Sequence, residues 1–106
     1  MLTSEDAHRL QLFKQGLLAF TPVSHLAAYG SRARGEAGAD ADLDLFVEVP
    51  SLTPTLRRQI RELAWEISLA EGCVISTFVT TPQALATGPL GALPLLRAIE
   101  KEGVFA

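Results

Sequence analysis

One stretch of this chain, residues 29–45, concentrates the residue types that could bind and activate a phosphorylated substrate. It reads YGSRARGEAGADADLDL. A glycine–serine dipeptide comes first, two arginines follow, and two aspartates stand two positions apart at the start of an apolar run: Gly30, Ser31, Arg32, Arg34, Asp42 and Asp44. Three interpretations compete: a phosphate-and-metal site, a solvated charged loop, or the remains of a site that has lost its chemistry.

The glycine–serine turn offers the donors that a phosphate group needs. If a strand ends here and a helix begins, backbone N–H groups point outward without partners and the helix dipole adds positive potential. Gly30 lets a phosphate approach the backbone closely, and the Ser31 hydroxyl adds a donor. Arg32 and Arg34 could neutralise the remaining charge. Taken alone, the dipeptide fits an ordinary turn with solvated arginines equally well, because motifs this short often match by chance.

The aspartate pair has the geometry of a cation site. Residues two apart on a strand point to the same side, so the carboxylates of Asp42 and Asp44 project together from positions about 6.6 Å apart. They repel by about 0.6 kcal/mol in water and by about 2.5 kcal/mol at an effective dielectric near 20. In a cleft the pair therefore needs a cation, and Mg²⁺ fits because it prefers carboxylate and phosphate oxygens. An exposed, unpaired strand start remains the alternative.

The surrounding sequence predicts the elements that position these residues. Residues 23–29 are short, apolar and followed by glycine, and residues 42–49 (DLDLFVEV) alternate strictly between two faces, as in strands. Thr53–Pro54 predicts the start of a long helix that ends at Gly72. The other predicted elements are helices over residues 3–20 and 92–102, a strand over residues 73–80 and a short helix from residue 81. This alternation predicts an α/β (α+β) chain, a sheet with helices packed on it.

Composition and charge restrict the classes of function. The chain has 106 residues, 48% hydrophobic and 20% charged, so we expect one globular domain over residues 1–106. A net charge of −3 argues against direct nucleic-acid binding. No apolar run reaches the length of a membrane span, and the N-terminus lacks a signal pattern. The single Cys73 excludes an internal disulfide and gives no zinc spacing, so we expect a cytoplasmic protein.

Together, these features resemble the minimal nucleotidyltransferase family, a branch of the polymerase-beta-like nucleotidyltransferase superfamily. The family motif is Gly-Ser, then arginine and glycine, then Asp-x-Asp on the second strand. It is present here as Gly30, Ser31, Arg34, Gly35, Asp42 and Asp44. The ending Glu102-Gly103-Val104 is also similar to members of this size. The resemblance covers nearly the whole chain and implies the nucleotidyltransferase fold, a small mixed sheet with helices packed on it.

The resemblance also implies an activity. In the family the Gly-Ser turn binds the triphosphate and the Asp-x-Asp carboxylates hold Mg²⁺, usually as a two-metal site, while an acceptor attacks the α-phosphate. Transferred to this chain, Asp42 and Asp44 are the catalytic and metal-binding residues. Gly30, Ser31 and Arg34 are the nucleotide-binding residues. The expected substrate is a nucleoside triphosphate, ATP, and the expected group is AMP, transferred to a partner protein.

One departure from the family pattern concerns a third carboxylate, which active members carry on the strand after the long helix. The matching position here is Ser76, and a neutral serine cannot bind a second metal ion. Glu48 shares a strand face with the aspartate pair but lies too far along the strand to substitute. The site is therefore reduced to one metal on this interpretation. The alternative function is a catalytically weakened antitoxin, or a nucleotide-binding module, that acts by protein contact.

The long helix predicts a protein partner. Its core stripe includes Leu56 and Ile60, whereas Trp65 and Leu69 fall roughly opposite, beside arginines. Exposed Trp next to Leu and Arg is typical of an interface anchor. The alternatives are a terminal segment folded over this face and a helix that lies between two layers. The family resemblance implies a small helical HEPN-type partner, paired as toxin and antitoxin, and a homo-oligomer is a further expectation.

Overall fold

The structure is a computed structural model that describes residues 2–36, 38, 40–87 and 94–106. Helices and strands alternate along the chain, as the sequence predicts. Their bounds are α1 (Ser4–Leu18), β1 (His25–Tyr29), α2 (Gly30–Arg34), β2 (Leu43–Glu48), α3 (Pro54–Glu71), β3 (Ile75–Thr80), α4 (Pro82–Thr87), α5 (Pro94–Glu102) and β4 (Val104–Phe105). No helix in these described ranges is long and apolar enough to cross a membrane.

The ends of the two long helices follow the sequence signals. The Thr3 side chain accepts a hydrogen bond from the Asp6 backbone N–H at 3.1 Å and caps α1. In the same way, Thr53 accepts from the Leu56 N–H at 3.0 Å at the start of α3. Helix α3 ends at Gly72, whose φ of 65° lies in the left-handed region that favours glycine. The first two residues of the helix predicted over 92–102 lie outside the described residues.

The four strands form one mixed sheet in the order β3-β2-β1-β4. Strand β1 runs antiparallel to β2 and β4, and β2 runs parallel to β3. The parallel pair is connected by α3, which is long enough to cross over between parallel strands. Strand β4 was not predicted from the sequence. It has only two residues, Val104 and Phe105, which pair with β1 and are too few to show a period.

Strand β2 separates the two faces of the sheet. Leu43, Leu45 and Val47 are fully buried in the larger core, which includes Phe13 from α1 and Ile60 from α3. The side chains that alternate with them point the other way. There Phe46 packs with Ala27 and with Ile99 from α5, so we name this side of the sheet the α5 face. Asp44 and Glu48 share the α5 face with Phe46, which is the alternation that the sequence predicts.

Candidate functional site

The glycine–serine turn and the second aspartate of the pair lie against each other. Strand β1 ends at Tyr29, which stands opposite Asp44 in the antiparallel register. Helix α2 begins at Gly30, which has a φ of 78°. A Cβ atom added at Gly30 would lie 2.6 Å from Oδ2 of Asp44, closer than any real Cβ contact. The positive φ therefore favours glycine at this position, and the lack of a side chain lets the carboxylate approach the backbone.

The start of α2 leaves backbone donors available at this corner. The capping residue, Tyr29, makes no side-chain hydrogen bond to the helix, and the first N–H groups of any helix lack acceptors within it. Ser31 is partly exposed and adds a hydroxyl beside them. A phosphate group could thus accept hydrogen bonds from these N–H and O–H donors on one side. On its other side lie the carboxylates of Asp42 and Asp44, and a cation between phosphate and carboxylates would be needed to offset their repulsion.

The two aspartates differ in their surroundings. Asp42 is exposed and directly precedes the first residue of β2, whereas Asp44 lies within the strand and is half-buried. Burial raises the pKa of Asp44, and the nearby charge of Asp42 raises the pKa further. Burial likewise raises the pKa of the neighbouring Tyr29 hydroxyl, and the charge of Asp44 adds to the shift. The corner is therefore a region of negative potential that favours a cation.

The residues present fit a single magnesium ion that also binds substrate. Asp42 and Asp44 supply carboxylate oxygens, and Mg²⁺ commonly takes its other ligands from phosphates and water. Within the described ranges no three His, Cys, Asp or Glu side chains converge on one point. Ser76 stands beside Asp44 in the parallel register and is exposed, so the position that could complete a two-metal site is neutral. A second metal ion does not fit this donor set.

Arg32 does not face this corner, contrary to the expectation that it neutralises phosphate charge. Its guanidinium donates from Nη1 to both carboxylate oxygens of Asp6, each at 3.1 Å, and from Nε to the Ala41 carbonyl at 2.6 Å. Asp6 also accepts from Arg9 at 2.8 Å and is only 1% exposed. This buried charge network ties α1 to α2 and to the segment just before Asp42. Arg32 is therefore a structural residue that positions the loop.

The buried, ion-paired role of Asp6 could not be predicted from the sequence. An acidic residue in the first turn of a helix is ordinarily solvated and interacts with the helix dipole. Its main partner, Arg32, is 26 residues away in the chain. Burial of an acid with two arginines could be recognised only once α1 was known to pack over the start of α2.

Arg34 is exposed and already has two carboxylate partners. Its Nε donates to Glu36 at 3.0 Å and its Nη1 to Glu102 at 3.3 Å. Both contacts raise the pKa of the guanidinium, which stays charged. A triphosphate would have to replace at least one of these carboxylates. The role of Arg34 in nucleotide binding therefore stays a prediction.

The predicted partner surface is exposed. Trp65 and Leu69 on α3 are 65% and 66% exposed, and Val74, just before β3, is 61% exposed. Between α3 and β3 runs a groove of about 190 Å³, lined in part by Arg61, Trp65 and Thr77. No terminal segment covers these side chains in the part of the chain that the structure describes. We call Trp65, Leu69 and Val74 the α3 patch, and its role as an interface stays a prediction.

Comparisons with known proteins identify the family and the fold. A family model for the nucleotidyltransferase domain matches residues 10–79. Among solved structures, a toxin–antitoxin with AMP-PNP is 16% identical at a TM-score of 0.64, covering 97% of this chain and 72% of that one. A mutant of the toxin–antitoxin MntA-HpeT, with two aspartate-to-glutamate substitutions two positions apart, is 13% identical at a TM-score of 0.60, covering 94% and 70%.

A third structural neighbour, a protein from Sulfolobus solfataricus assigned as a nucleotidyltransferase, is 14% identical at a TM-score of 0.53 and covers 95% of this chain and 81% of that one. At these identities the likeness shows a common fold. No curated protein matches the chain by sequence. The matched family segment contains the glycine–serine turn, both aspartates and Ser76.

Proposed function

The chain belongs to the nucleotidyltransferase domain family, and from this premise we propose that it binds Mg²⁺–ATP and transfers AMP to a partner protein. The partner we propose is a small helical protein of HEPN type, with this chain as the antitoxin-like half of the pair. One observation carries the proposal: the Asp44 carboxylate lies directly against the backbone of the Gly30 turn. The contact supports the proposal because an Mg²⁺ ion held by Asp44 would lie next to a triphosphate held by the N–H groups of the turn.

Each residue of the corner has a role in this reaction. The N–H groups at the start of α2 and the Ser31 hydroxyl hold the triphosphate, while Asp42 and Asp44 would hold Mg²⁺. The ion, when bound, would polarise the phosphoryl oxygens and neutralise charge on the leaving group. An acceptor hydroxyl forms a bond to the α-phosphorus, the α–β phosphoanhydride bond breaks, and pyrophosphate leaves while the hydroxyl proton passes to solvent. The protein contributes position more than covalent chemistry.

The structural neighbours support the choice of nucleotide and partner. One of them was crystallised with AMP-PNP, an ATP analogue, and two are toxin–antitoxin pairs. The two substitutions in the second pair have the same spacing as Asp42 and Asp44. We propose that the α3 patch receives the partner, because a large aromatic side chain beside Arg61 is the composition of an interface anchor. A reaction that consumes ATP also favours the cytoplasm as its location.

The test of transfer uses ATP labelled at the α-phosphate, Mg²⁺ and the purified helical partner. We expect label on the partner with the wild-type chain and none with the double variant Asp42→Asn, Asp44→Asn. Asp40→Asn is the matched control, because Asp40 is an exposed acid of the same loop outside the pair. If the double variant labels the partner as well as the wild type does, the assignment of the aspartates is wrong.

The test of the partner surface uses co-elution of the two proteins. Trp65→Ala should weaken the complex, whereas Leu18→Ala should not, although Leu18 is also 55% exposed. Equal complex formation by both variants would remove the α3 patch from the proposal.

A second candidate function is neutralisation of the partner by contact alone. It is favoured by Ser76, because the neutral side chain beside Asp44 leaves the site without a second metal ligand. The two functions differ in the labelling experiment. An antitoxin of this second kind binds the partner through the α3 patch and transfers no label under any combination of nucleotide and divalent metal.

A further inference from the structure

The α5 face contains a pocket that the transfer site does not use. It encloses about 340 Å³ and is lined by side chains of three strands and two helices: His25, Phe46, Glu48, Leu85, Leu96, Ile99, Glu100 and Phe105. Most of these residues are apolar, but two carboxylates are among them. A pocket with apolar and aromatic walls and a few polar groups is the usual form of a binding site.

Glu48 is the buried acid of this pocket. Its side chain is only 10% exposed, and its Oε2 lies 3.0 Å from Nδ1 of His25. The hydrogen bonds among the described residues engage only Oε2. Acids are almost never buried to this extent unless they are paired. The His25 ring, which is 60% exposed at the pocket mouth, pairs with one oxygen and leaves the other for a ligand.

The residue next to Glu48 on β3 is polar as well. Thr80 stands next to Glu48 in the parallel register of β2 and β3, and is only 3% exposed. Its hydroxyl is buried without a hydrogen-bond partner in the described part of the chain. Such orphaned groups are rare in folded proteins, because leaving a buried hydroxyl unpaired is costly. Thr80 is not among the residues that line the pocket, so the unused acceptor at the pocket is the second carboxylate oxygen of Glu48.

The aromatic lining selects among cations. The rings of His25 and Phe105 meet edge to face with centroids 6.2 Å apart, and Phe46 contributes to the same wall. Glu100, which is exposed, adds a second negative charge. A guanidinium group stacks on aromatic rings and can at the same time donate to the remaining oxygen of Glu48, whereas an ammonium group stacks less well. The lining therefore fits arginine better than lysine.

We propose that this pocket binds an arginine side chain of the acceptor protein. Glu48 lies on the same face of β2 as Asp44 and four residues further along, or about 13 Å away. A protein chain that presents a hydroxyl at the transfer site can thus place an arginine in the pocket. That the arginine belongs to the acceptor protein rests on the proposed transfer function, whereas binding of a guanidinium group in the pocket does not.

The test measures binding without nucleotide, metal or partner. Nα-acetyl-arginine methylamide is titrated into the ¹⁵N-labelled chain, and the neutral isostere Nα-acetyl-citrulline methylamide is titrated in parallel. We expect the arginine compound to shift the backbone amide signals of His25, Phe46 and Phe105 in a saturable way and the citrulline compound not to. Equal shifts with both compounds, or no shifts at these residues, would overturn the proposal, as would shifts there with adenosine but not with arginine.

Variants make the assignment specific. Glu48→Gln keeps the shape of the side chain and a partner for His25 but removes the charge, and should weaken arginine binding by about fivefold. Glu66→Gln is the control, because Glu66 is an exposed acid on α3, which packs on the other face of the sheet. Unchanged affinity in Glu48→Gln would refute a role for that carboxylate. The titration does not measure transfer of AMP. Failure of the labelling experiment would therefore not affect the evidence for arginine binding, and failure of arginine binding would not affect the evidence for transfer.

Discussion

Replacing Asp44 with asparagine should make the ligand-free protein more stable. Burial and the charge of Asp42 raise the pKa of Asp44 in the folded state, so the folded chain holds this proton more tightly than the unfolded chain. Ionisation of Asp44 therefore destabilises the fold above the unfolded pKa, and this penalty disappears as the pH falls through the raised folded pKa. A neutral asparagine removes the penalty at pH 7.

The repulsion between the two carboxylates sets the scale of the effect, and burial of Asp44 acts in the same direction. Two charges about 6.6 Å apart repel by about 0.6 kcal/mol in water and by about 2.5 kcal/mol at an effective dielectric near 20. Asp42 is exposed and Asp44 only half-buried, so solvent screening puts the value near the lower figure. We expect a gain of about 0.5 to 1 kcal/mol, which raises the Tm by about 2 to 4 °C.

Magnesium and an ATP analogue should reverse the order of stability. A ligand at one hundred times its Kd stabilises the form that binds it by about 2.7 kcal/mol, which exceeds the penalty in the ligand-free wild type. The Asp44→Asn variant lacks one of the two carboxylates, so the ligand should add little to its stability. Thermal unfolding monitored by circular dichroism at pH 7 should therefore give the variant the higher Tm without ligand and the wild type the higher Tm with Mg²⁺ and AMP-PNP.

Acidification and a control variant complete this test. As the pH falls through the raised pKa of Asp44, protonation should remove the ligand-induced gain of the wild type. Glu66→Gln, which removes an exposed charge from the other face of the sheet, should show no reversal. The reasoning is refuted if Asp44→Asn lowers the Tm of the ligand-free protein, or if Mg²⁺ and AMP-PNP stabilise wild type and variant equally.

Three further changes test neighbouring parts of the structure. Gly30→Ala should destabilise the protein more than Gly72→Ala in denaturant titrations. Both positions have a positive φ, which costs about 1 kcal/mol for alanine, but only at position 30 would the new Cβ atom contact a carboxylate, that of Asp44. Equal losses would contradict the close approach of Asp44 to Gly30. Ser76→Asp should lower the ligand-free stability by about 0.9 kcal/mol, the repulsion in water of charges on neighbouring strands, yet increase transfer of label at saturating Mg²⁺; reduced transfer would contradict a missing third carboxylate. Asp6→Asn should cost about 3 to 5 kcal/mol in urea unfolding, since it breaks a buried pair with Arg32; a loss under 1 kcal/mol would contradict that burial.

Much of the local structure was predictable because its causes are local. The alternation of residues 42–49 specified β2, and the structure has a strand over Leu43–Glu48 with Asp44 on the α5 face; Asp42 directly precedes that strand. Thr53, Pro54 and Gly72 specified both ends of α3. The exposure of Trp65 was also predictable, since the helical period puts it opposite the core stripe. The helix over 92–102 was predicted by its period, although only residues from 94 onward are described.

The pairing of strands was less predictable. The sequence gives the existence of β1, β2 and β3 but does not determine that β2 is antiparallel to one neighbour and parallel to the other. Strand β4 is created by its partner, because two residues have no pattern of their own. The pocket on the α5 face has the same origin: His25 and Glu48 are 23 residues apart and meet only because β1 and β2 pair in one register.

The sequence by itself determined which residues of this protein could do chemistry, since the Gly-Ser turn and the Asp-x-Asp spacing are properties of short segments. Only the tertiary structure decided which charges are available for it. Of the two arginines after the turn, Arg32 is held by Asp6, and Arg34 by two acids that follow it in the chain, Glu36 and Glu102. The physical reason is that an ion pair depends on distance in space, and residues far apart in the chain are brought together only by the packing of helices on the sheet.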